Sequence, residues 1–378
     1  MAAGIYIHIP FCKQKCLYCD FVSACGSDED MHGYQMALLN EIESTVIDST
    51  VDSVFFGGGT PSLYPKEYIG EIMDLLRRKG VLEEKIECTI ESNPGTLSYE
   101  KLCYYKSVGI NRISIGLQSA NDMELKELGR IHTFDEFLES YENARRAGFE
   151  NINIDLMSAI PTQTFESYVQ TLNKVVRLNP EHISAYSLII EEGTPFYDKY
   201  YGDDKFERLL PDEDTEREMY HYTKEFLAEK GFLRYEISNY AKEGYECIHN
   251  LKYWSRVDYY GFGVAAASLV KNVRYSNTNI RKEYIENKGD INKIRMEEDK
   301  LSANEQMEEF MFLGLRKTNG ISVKEFERLF GRNVYDVYGE VIEKHIENGL
   351  LNKDEGRIFL TDKGIDISNY VMSEFIQK

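Results

Sequence analysis

An alternation of strand and helix patterns over the first half of the chain is the strongest constraint on what it can fold into. Short apolar runs read as strands over 5–9, 53–56, 88–91, 112–116, 151–157 and 182–188. Helical patterns separate them, at roughly 31–48, 66–79, 98–108, 134–147 and 164–178. Pro65 and Ser98 stand at helix starts, and Gly80, Gly109 and Gly148 at helix ends. Repeated β–α units of this size require parallel strands with helices outside. Six units fall short of a closed eight-unit barrel. The expected fold is therefore α/β, a partial (β/α)6 TIM-like barrel, in preference to a flat doubly wound sheet. The placement of unusual residues favours the barrel. They cluster just past strand ends, and in a barrel those ends form one mouth. A doubly wound sheet would spread them along a crevice.

The pattern changes near Asp212. A helix is expected over 213–230, then a strand or loop over 235–240. An aromatic stretch follows, with Tyr253-Trp254 and Tyr259-Tyr260-Gly261-Phe262-Gly263. A polar connector over 277–300 leads to helical patterns at 304–316, 323–330 and 334–348. Residues 350–360 read as a hairpin with Asp354-Glu355-Gly356 at its tip. The expected division is a barrel over 1–230, a connecting segment over 231–300, and a mostly helical, winged-helix-like domain over 301–378. A winged helix invites a DNA-binding reading. But 300–378 carries 11 Lys/Arg against 14 Asp/Glu, so a packing or lid role is favoured.

The chain has 378 residues, 42% hydrophobic, enough for a full core. Its net charge of −20 repels a phosphate backbone and an anionic membrane alike. No apolar run is long enough to span a bilayer and no signal peptide precedes the first strand, so no membrane insertion and a cytoplasmic location are expected. Seven cysteines, an odd number, fit a reducing compartment. Cys25, Cys88, Cys103 and Cys247 are scattered and read as buried free thiols.

The other three cysteines, Cys12, Cys16 and Cys19, form C-x3-C-x2-C directly after the first strand. Soft ligands packed into one loop hold a soft metal or an iron–sulfur cluster. The spacing suits at most one strained disulfide and would strand a thiol. Zinc competes, with His8 as a conceivable fourth ligand. Yet His8 lies within the strand, roughly 10 Å or more from Cys12 at about 3.3 Å per residue. A cubane bound by three thiolates keeps one iron open for a further ligand. After the second strand comes Gly57-Gly58-Gly59-Thr60-Pro61, where glycines let a ligand approach the backbone closely. It lacks the lysine of a P-loop and the spacing of a dinucleotide fingerprint.

This pairing of a three-cysteine loop with a glycine-rich turn resembles the radical S-adenosylmethionine (SAM) enzymes. Tyr6-Ile7-His8-Ile9-Pro10-Phe11-Cys12, Gly57–Pro61, Glu91-Ser92-Asn93-Pro94 and Gly129-Arg130-Ile131-His132-Thr133 resemble the oxygen-independent coproporphyrinogen III oxidase superfamily. The resemblance runs through the C-terminal region. Two departures point away from the oxidase itself: Phe21 stands where it has a further cysteine, and its long N-terminal extension is lacking. His249-Asn250-Leu251-Lys252-Tyr253-Trp254 is similar to the H-N-x-x-Y-W motif of HemW-type haem chaperones.

The resemblance implies a [4Fe–4S] cluster on Cys12, Cys16 and Cys19, with SAM on the open iron. It implies SAM contacts from Tyr6, Gly58, Gly59, Thr60, Glu91, Gln118, Arg130 and Asp155. Glu91 and Asp155 can accept from hydroxyl or amino groups, and Arg130 can pair with a carboxylate. It implies haem contact at His249, with Tyr253 and Trp254 as stacking partners and Cys247 as a lesser candidate. Many relatives carry Ala-His-Ser after Gly261-Phe262-Gly263; here the residues are Ala266-Ala267-Ser268. Three functions follow as expectations. The first is a chaperone that delivers haem to an acceptor such as a respiratory cytochrome, with an electron donor protein serving the cluster. The second is an enzyme that uses a SAM-derived radical on a porphyrinogen propionate. The third, a winged-helix regulator, is disfavoured by the acidic C-terminal region.

Overall fold

The computed structural model describes residues 2–202, 204–296 and 298–376. Six strands pair in sequence order, all parallel: β1 (Ala3–Ile9), β2 (Val51–Gly58), β3 (Leu82–Ser92), β4 (Arg112–Gln118), β5 (Ile152–Ser158) and β6 (His182–Ser187). Helices Asp28–Ser44, Lys66–Arg78, Tyr99–Ser107, Phe134–Arg146 and Phe165–Arg177 connect them. Polar side chains fix where these helices begin. Ser27, Ser98, Thr133 and Thr164 each accept an N–H from the first turn, and Ser27, Thr133 and Thr164 form reciprocal capping boxes. The apolar strand residues Ile5, Ile7, Ile9, Val54, Phe56, Ile90, Ile113, Ile115 and Ile154 are fully buried in one continuous core. This is the expected partial barrel.

Residues 231–300 do more than connect. They add β7 (Leu233–Glu236) and β8 (Asn239–Ala241) beyond β6. On the other edge they add β9 (Tyr259–Phe262), parallel to β1, then antiparallel β10 (Ala267–Val270), β11 (Val273–Ser276) and β12 (Asp299–Lys300). The sheet order is β12-β11-β10-β9-β1-β2-β3-β4-β5-β6-β8-β7. These added strands are two to four residues long, too short to leave a legible period in the sequence.

The C-terminal unit has its own core, built from Met311, Phe326, Ile342, Ile358 and Phe375 among others. Helices Ala303–Gly314, Val323–Phe330 and Val334–Glu347 pack with a small antiparallel sheet of β13 (Ile321–Ser322), β14 (Leu351–Asp354) and β15 (Arg357–Leu360), ordered β13-β15-β14. Glu355 and Gly356 at the hairpin tip both take positive φ, as a two-residue hairpin turn requires. The unit docks against β7 and the helix Ile248–Trp254. Ile237 N–H donates to Arg316 O at 3.1 Å, and Thr318 N–H to Tyr235 O at 3.0 Å. The Arg316 guanidinium lies 4.2 Å from the Trp254 ring centre.

Candidate functional site at the barrel mouth

The loop after β1 returns beside its own start. Cys12 N–H donates to Ala24 O at 3.1 Å, and Ala24 N–H to Pro10 O at 3.0 Å. The glycine turn after β2 is pinned to the same loop. Gly59 N–H donates to Ile9 O at 2.9 Å, and Thr60 N–H to Phe11 O at 2.8 Å. No side chain fits there. A Cβ on Gly59 would lie 2.8 Å from Phe11 O, and one on Gly58 would meet the His8 ring at 2.5 Å. Gly58 also holds φ at +108°, a conformation that L side chains rarely adopt.

A cavity opens at this end of the barrel. Ten of the residues expected from the sequence line it: Cys12, Cys16, Cys19, Gly58, Gly59, Thr60, Glu91, Gln118, Arg130 and Asp155. They come from the loops and ends of five successive strands. Tyr6 sits just beneath, its hydroxyl 3.1 Å from His8 Nδ1, with its ring against the space above Gly57. Sequence reading passed over two further residues. Tyr186, on β6, lines the cavity. Asn93 bridges two of the expected residues: its amide donates to Thr60 Oγ1 at 2.9 Å, and its carbonyl accepts from Arg130 Nη2 at 2.8 Å. Asn93 belongs to Glu91-Ser92-Asn93-Pro94, and its position directly after β3 is the signal the sequence offers.

Most polar atoms here have partners, but two buried ones do not. Arg130 donates to Gly116 O at 2.7 Å and reaches Cys16 Sγ at 3.5 Å. Thr60 Oγ1 lies 3.5 Å from Cys12 Sγ. Gln118 takes φ of +66°, and its Oε1 is buried without a partner among the described residues, as is Arg130 Nε. A strained, buried amide at a strand end is typical of a ligand site. Desolvation in the mouth, then the neighbouring charge of Asp155, pushes the Glu91 carboxyl up to about 8. Desolvation likewise raises Asp155. Gly58 N–H donates to Glu91 at 3.2 Å, so the carboxylate and the glycine cradle face the same space.

This donor set fits the groups the sequence implies. Three thiols line one cavity, and among the described residues no three donors close around a single ion. Such spread thiols suit a polynuclear cluster, whose ligands sit on different irons. The glycine cradle, two carboxyls and Arg130 suit a zwitterion that carries hydroxyl groups.

His249 is elsewhere. It lies in the helix Ile248–Trp254, against the opposite end of the barrel, and is 1% exposed. Its Nδ1 pairs with Ser53 Oγ at 3.0 Å and its Nε2 with Tyr253 OH at 2.8 Å. The ring stacks on Phe55 at 5.2 Å, and burial drives its pKa down to about 3. Both nitrogens have protein partners, which speaks against His249 offering one to haem iron. Cys247 is also buried, its Sγ 3.5 Å from Glu87 Oε1. Tyr253 makes T-shaped contacts with His249 and Tyr259, and the Arg316 guanidinium covers one face of Trp254.

Comparison with known proteins agrees with this architecture. Residues 6–175 match the family described as the radical SAM superfamily, and residues 301–367 match the HemN C-terminal domain. The chain is 37% identical over 371 residues to the heme chaperone HemW of Lactococcus lactis subsp. lactis, covering 98% of this chain and 96% of that protein. It is 37% identical over 378 residues to the heme chaperone HemW of Bacillus subtilis, covering 98% of each. The solved coproporphyrinogen III oxidase HemN of Escherichia coli superposes with a TM-score of 0.85 at 22% identity, covering 99% of this chain and 90% of that one. That likeness shows a shared fold. The chain belongs to the HemW family within the radical SAM superfamily.

Proposed function

We propose that the chain is a haem chaperone that binds haem and passes it to an acceptor protein such as a respiratory cytochrome. In this reading the mouth holds a [4Fe–4S] cluster on Cys12, Cys16 and Cys19. SAM binds beside it, on Gly58, Gly59, Thr60, Glu91, Gln118, Arg130 and Asp155, with Tyr6 beneath. The observation that carries the reading is the convergence of these residues in one cavity, on a chain matched over nearly its full length by heme chaperone HemW proteins. When bound, such a cluster supplies low-potential electrons and SAM supplies a radical source. The chain's own contribution is to cradle the methionyl end with glycine backbone, hold the carboxylate with Arg130 and accept hydroxyls with Asp155. The division at 1–230, 231–300 and 301–378, a cytoplasmic location, an electron donor protein as partner and no role in nucleic-acid binding complete the proposal. Among the described residues no helix is long and apolar enough to cross a membrane.

A second reading, oxygen-independent coproporphyrinogen III oxidase, draws on the resemblance to that superfamily. Phe21 speaks against it: it stands where the oxidase has its additional cysteine, and it is 60% exposed on the rim of the mouth. Titrating the anaerobically reconstituted chain with haem should give a shifted Soret band. Incubation with coproporphyrinogen, SAM and reductant should give no protoporphyrinogen. Turnover with release of deoxyadenosine would move the protein to the second reading, and absence of any haem spectrum would overturn the first.

A further inference from the structure

A line of hydrogen bonds runs through the barrel from the mouth to its far end. It begins at Asp155, which lines the cavity. Asn153, two residues earlier on β5, donates from Nδ2 to Asp155 Oδ1 at 2.7 Å and to Ser114 Oγ at 2.8 Å. Ser114 in turn donates to Asp155 Oδ2 at 3.2 Å. The Asn153 carbonyl accepts from Ser184 Oγ at 3.2 Å and meets His182 Nδ1 at 2.5 Å. His182 Nε2 lies 2.8 Å from Tyr235 OH. Tyr235 OH accepts the N–H of Cys247 at 3.2 Å. Cys247 is the N-cap of the helix that carries His249-Asn250-Leu251-Lys252-Tyr253-Trp254, and its side chain makes no cap bond.

The chemistry fixes the direction of this line. Asn153 must turn its amide toward a carboxylate and a hydroxyl, and so turns its carbonyl toward His182. Burial, then the Arg112 guanidinium, holds His182 well below the usual imidazole range, so its ring is neutral. A neutral ring that donates from Nδ1 accepts at Nε2. Tyr235 therefore donates to His182 and accepts from Cys247. Every donor points toward Asp155, so each bond polarises the next. Asn153 and His182 are 2% and 0% exposed, and water cannot substitute for either. Tyr235 is also a junction, because its backbone carbonyl accepts Thr318 N–H from the C-terminal unit at 3.0 Å.

We propose that Asn153 is a positioning residue, which aims Asp155 into the mouth and, through His182 and Tyr235, couples the mouth to the seating of the helix Ile248–Trp254. The proposal rests on the reading of the mouth as a SAM site. A ligand that takes up Asp155 tightens the line and steadies the helix, and by linkage a helix that is loosened weakens the ligand.

The test uses the full cluster-loaded chain with SAM as probe, and the variants Tyr235→Phe and Asn153→Leu. Neither alters an atom that touches SAM. Tyr235→Phe removes only a hydroxyl and keeps the test decisive if Asn153→Leu fails to fold. Calorimetry should show SAM bound three- to tenfold more weakly in both variants. Hydrogen exchange should show SAM slowing the amides of residues 247–251 at least threefold in the unchanged chain, and losing that effect in the variants. Nitrogen NMR of histidine-labelled chain supplies a readout that simple destabilisation would not move. His182 should carry its proton on Nδ1 in the unchanged chain and shift to Nε2 in Asn153→Leu, where Tyr235 becomes the remaining acceptor. If SAM binds the unchanged chain and both variants alike, or protects 247–251 equally in all, this proposal is overturned and the SAM reading stands. If the unchanged chain takes up no SAM, the reading itself fails and the proposal with it.

Discussion

Gly59 has no room for even one carbon, because the backbone carbonyls of Ile9 and Phe11 stand within 3 Å of where its Cβ would be. Gly59→Val must therefore push the turn away from the cysteines. Calorimetry on the cluster-loaded chain should show SAM weakened by well over tenfold, about 1.4 kcal/mol or more; unchanged affinity would place SAM elsewhere. Cys12, Cys16 and Cys19 line that same cavity, so Ala at any one of them should abolish the brown colour of reconstituted protein. Four irons retained in the triple variant would refute the assignment. Cys25 is exposed and Cys103 half-buried, where burial was expected of both; replacing Cys25 should leave iron content unchanged. Glu91 makes a pH prediction. It keeps its proton to about pH 8 in the folded chain, whereas an ordinary glutamate loses it near 4.5. The folded state thus binds the extra proton between those values, so its contribution to stability falls as pH rises through that window. Glu91→Gln should flatten the decline in urea stability from pH 5 to pH 8, by about 1 kcal/mol or more, since each tenfold gain in proton affinity on folding is worth about 1.4 kcal/mol. Equal slopes in the two proteins would contradict this.

At the scale of elements, the helix Ile248–Trp254 changes meaning once its place is known. Glu87 on β3 accepts the N–H groups of Ile248 and His249, both at 3.0 Å, which supplies the cap that Cys247 does not. His249 plugs the barrel between Ser53, Phe55 and Tyr253. His249→Leu should cost about 2–4 kcal/mol by leaving two buried hydroxyls without their partner. The same variant should leave the haem Soret position unchanged; a moved or lost Soret band in a stably folded variant would restore the histidine as a ligand. The motif was legible in the sequence, but its role was not. Aromatic residues beside a histidine look alike whether they face a porphyrin or a core, because composition carries no direction. Asn93 shows the same limit: the strand end was legible, but its bridge from Thr60 to Arg130 needs three separate loops brought together.

For the whole molecule, the question is how the C-terminal unit is held on the barrel. Glu309 accepts from Arg256 Nε at 2.7 Å and pairs with Arg274 Nη1 at 2.6 Å; Arg256 and Glu309 side chains are 8% and 6% exposed. Glu309→Ala removes the carboxylate partner of the buried Arg256 guanidinium and should cost about 3–5 kcal/mol. Denaturant unfolding should show that loss, and a change under about 1 kcal/mol would mean the junction admits water.

The sequence by itself determined the six parallel β–α units and the winged C-terminal unit, and its family resemblance pointed to the ten expected residues that line the mouth. The reason is physical: capped amphipathic helices and apolar strands are local patterns, and a barrel sends every strand's C-terminal end to one side. Only the tertiary structure decided the rest. The short strands β7 to β12 have no period of their own, and they join the barrel sheet only where β8 meets β6 and β9 meets β1, partners distant in sequence. His249 was turned into the barrel base by Ser53 and Tyr253, and Asn153, His182 and Tyr235 became one polar line only when β5, β6 and β7 met. Burial and hydrogen-bond direction belong to the assembled fold, because they depend on which side chain stands opposite, and no local pattern records that.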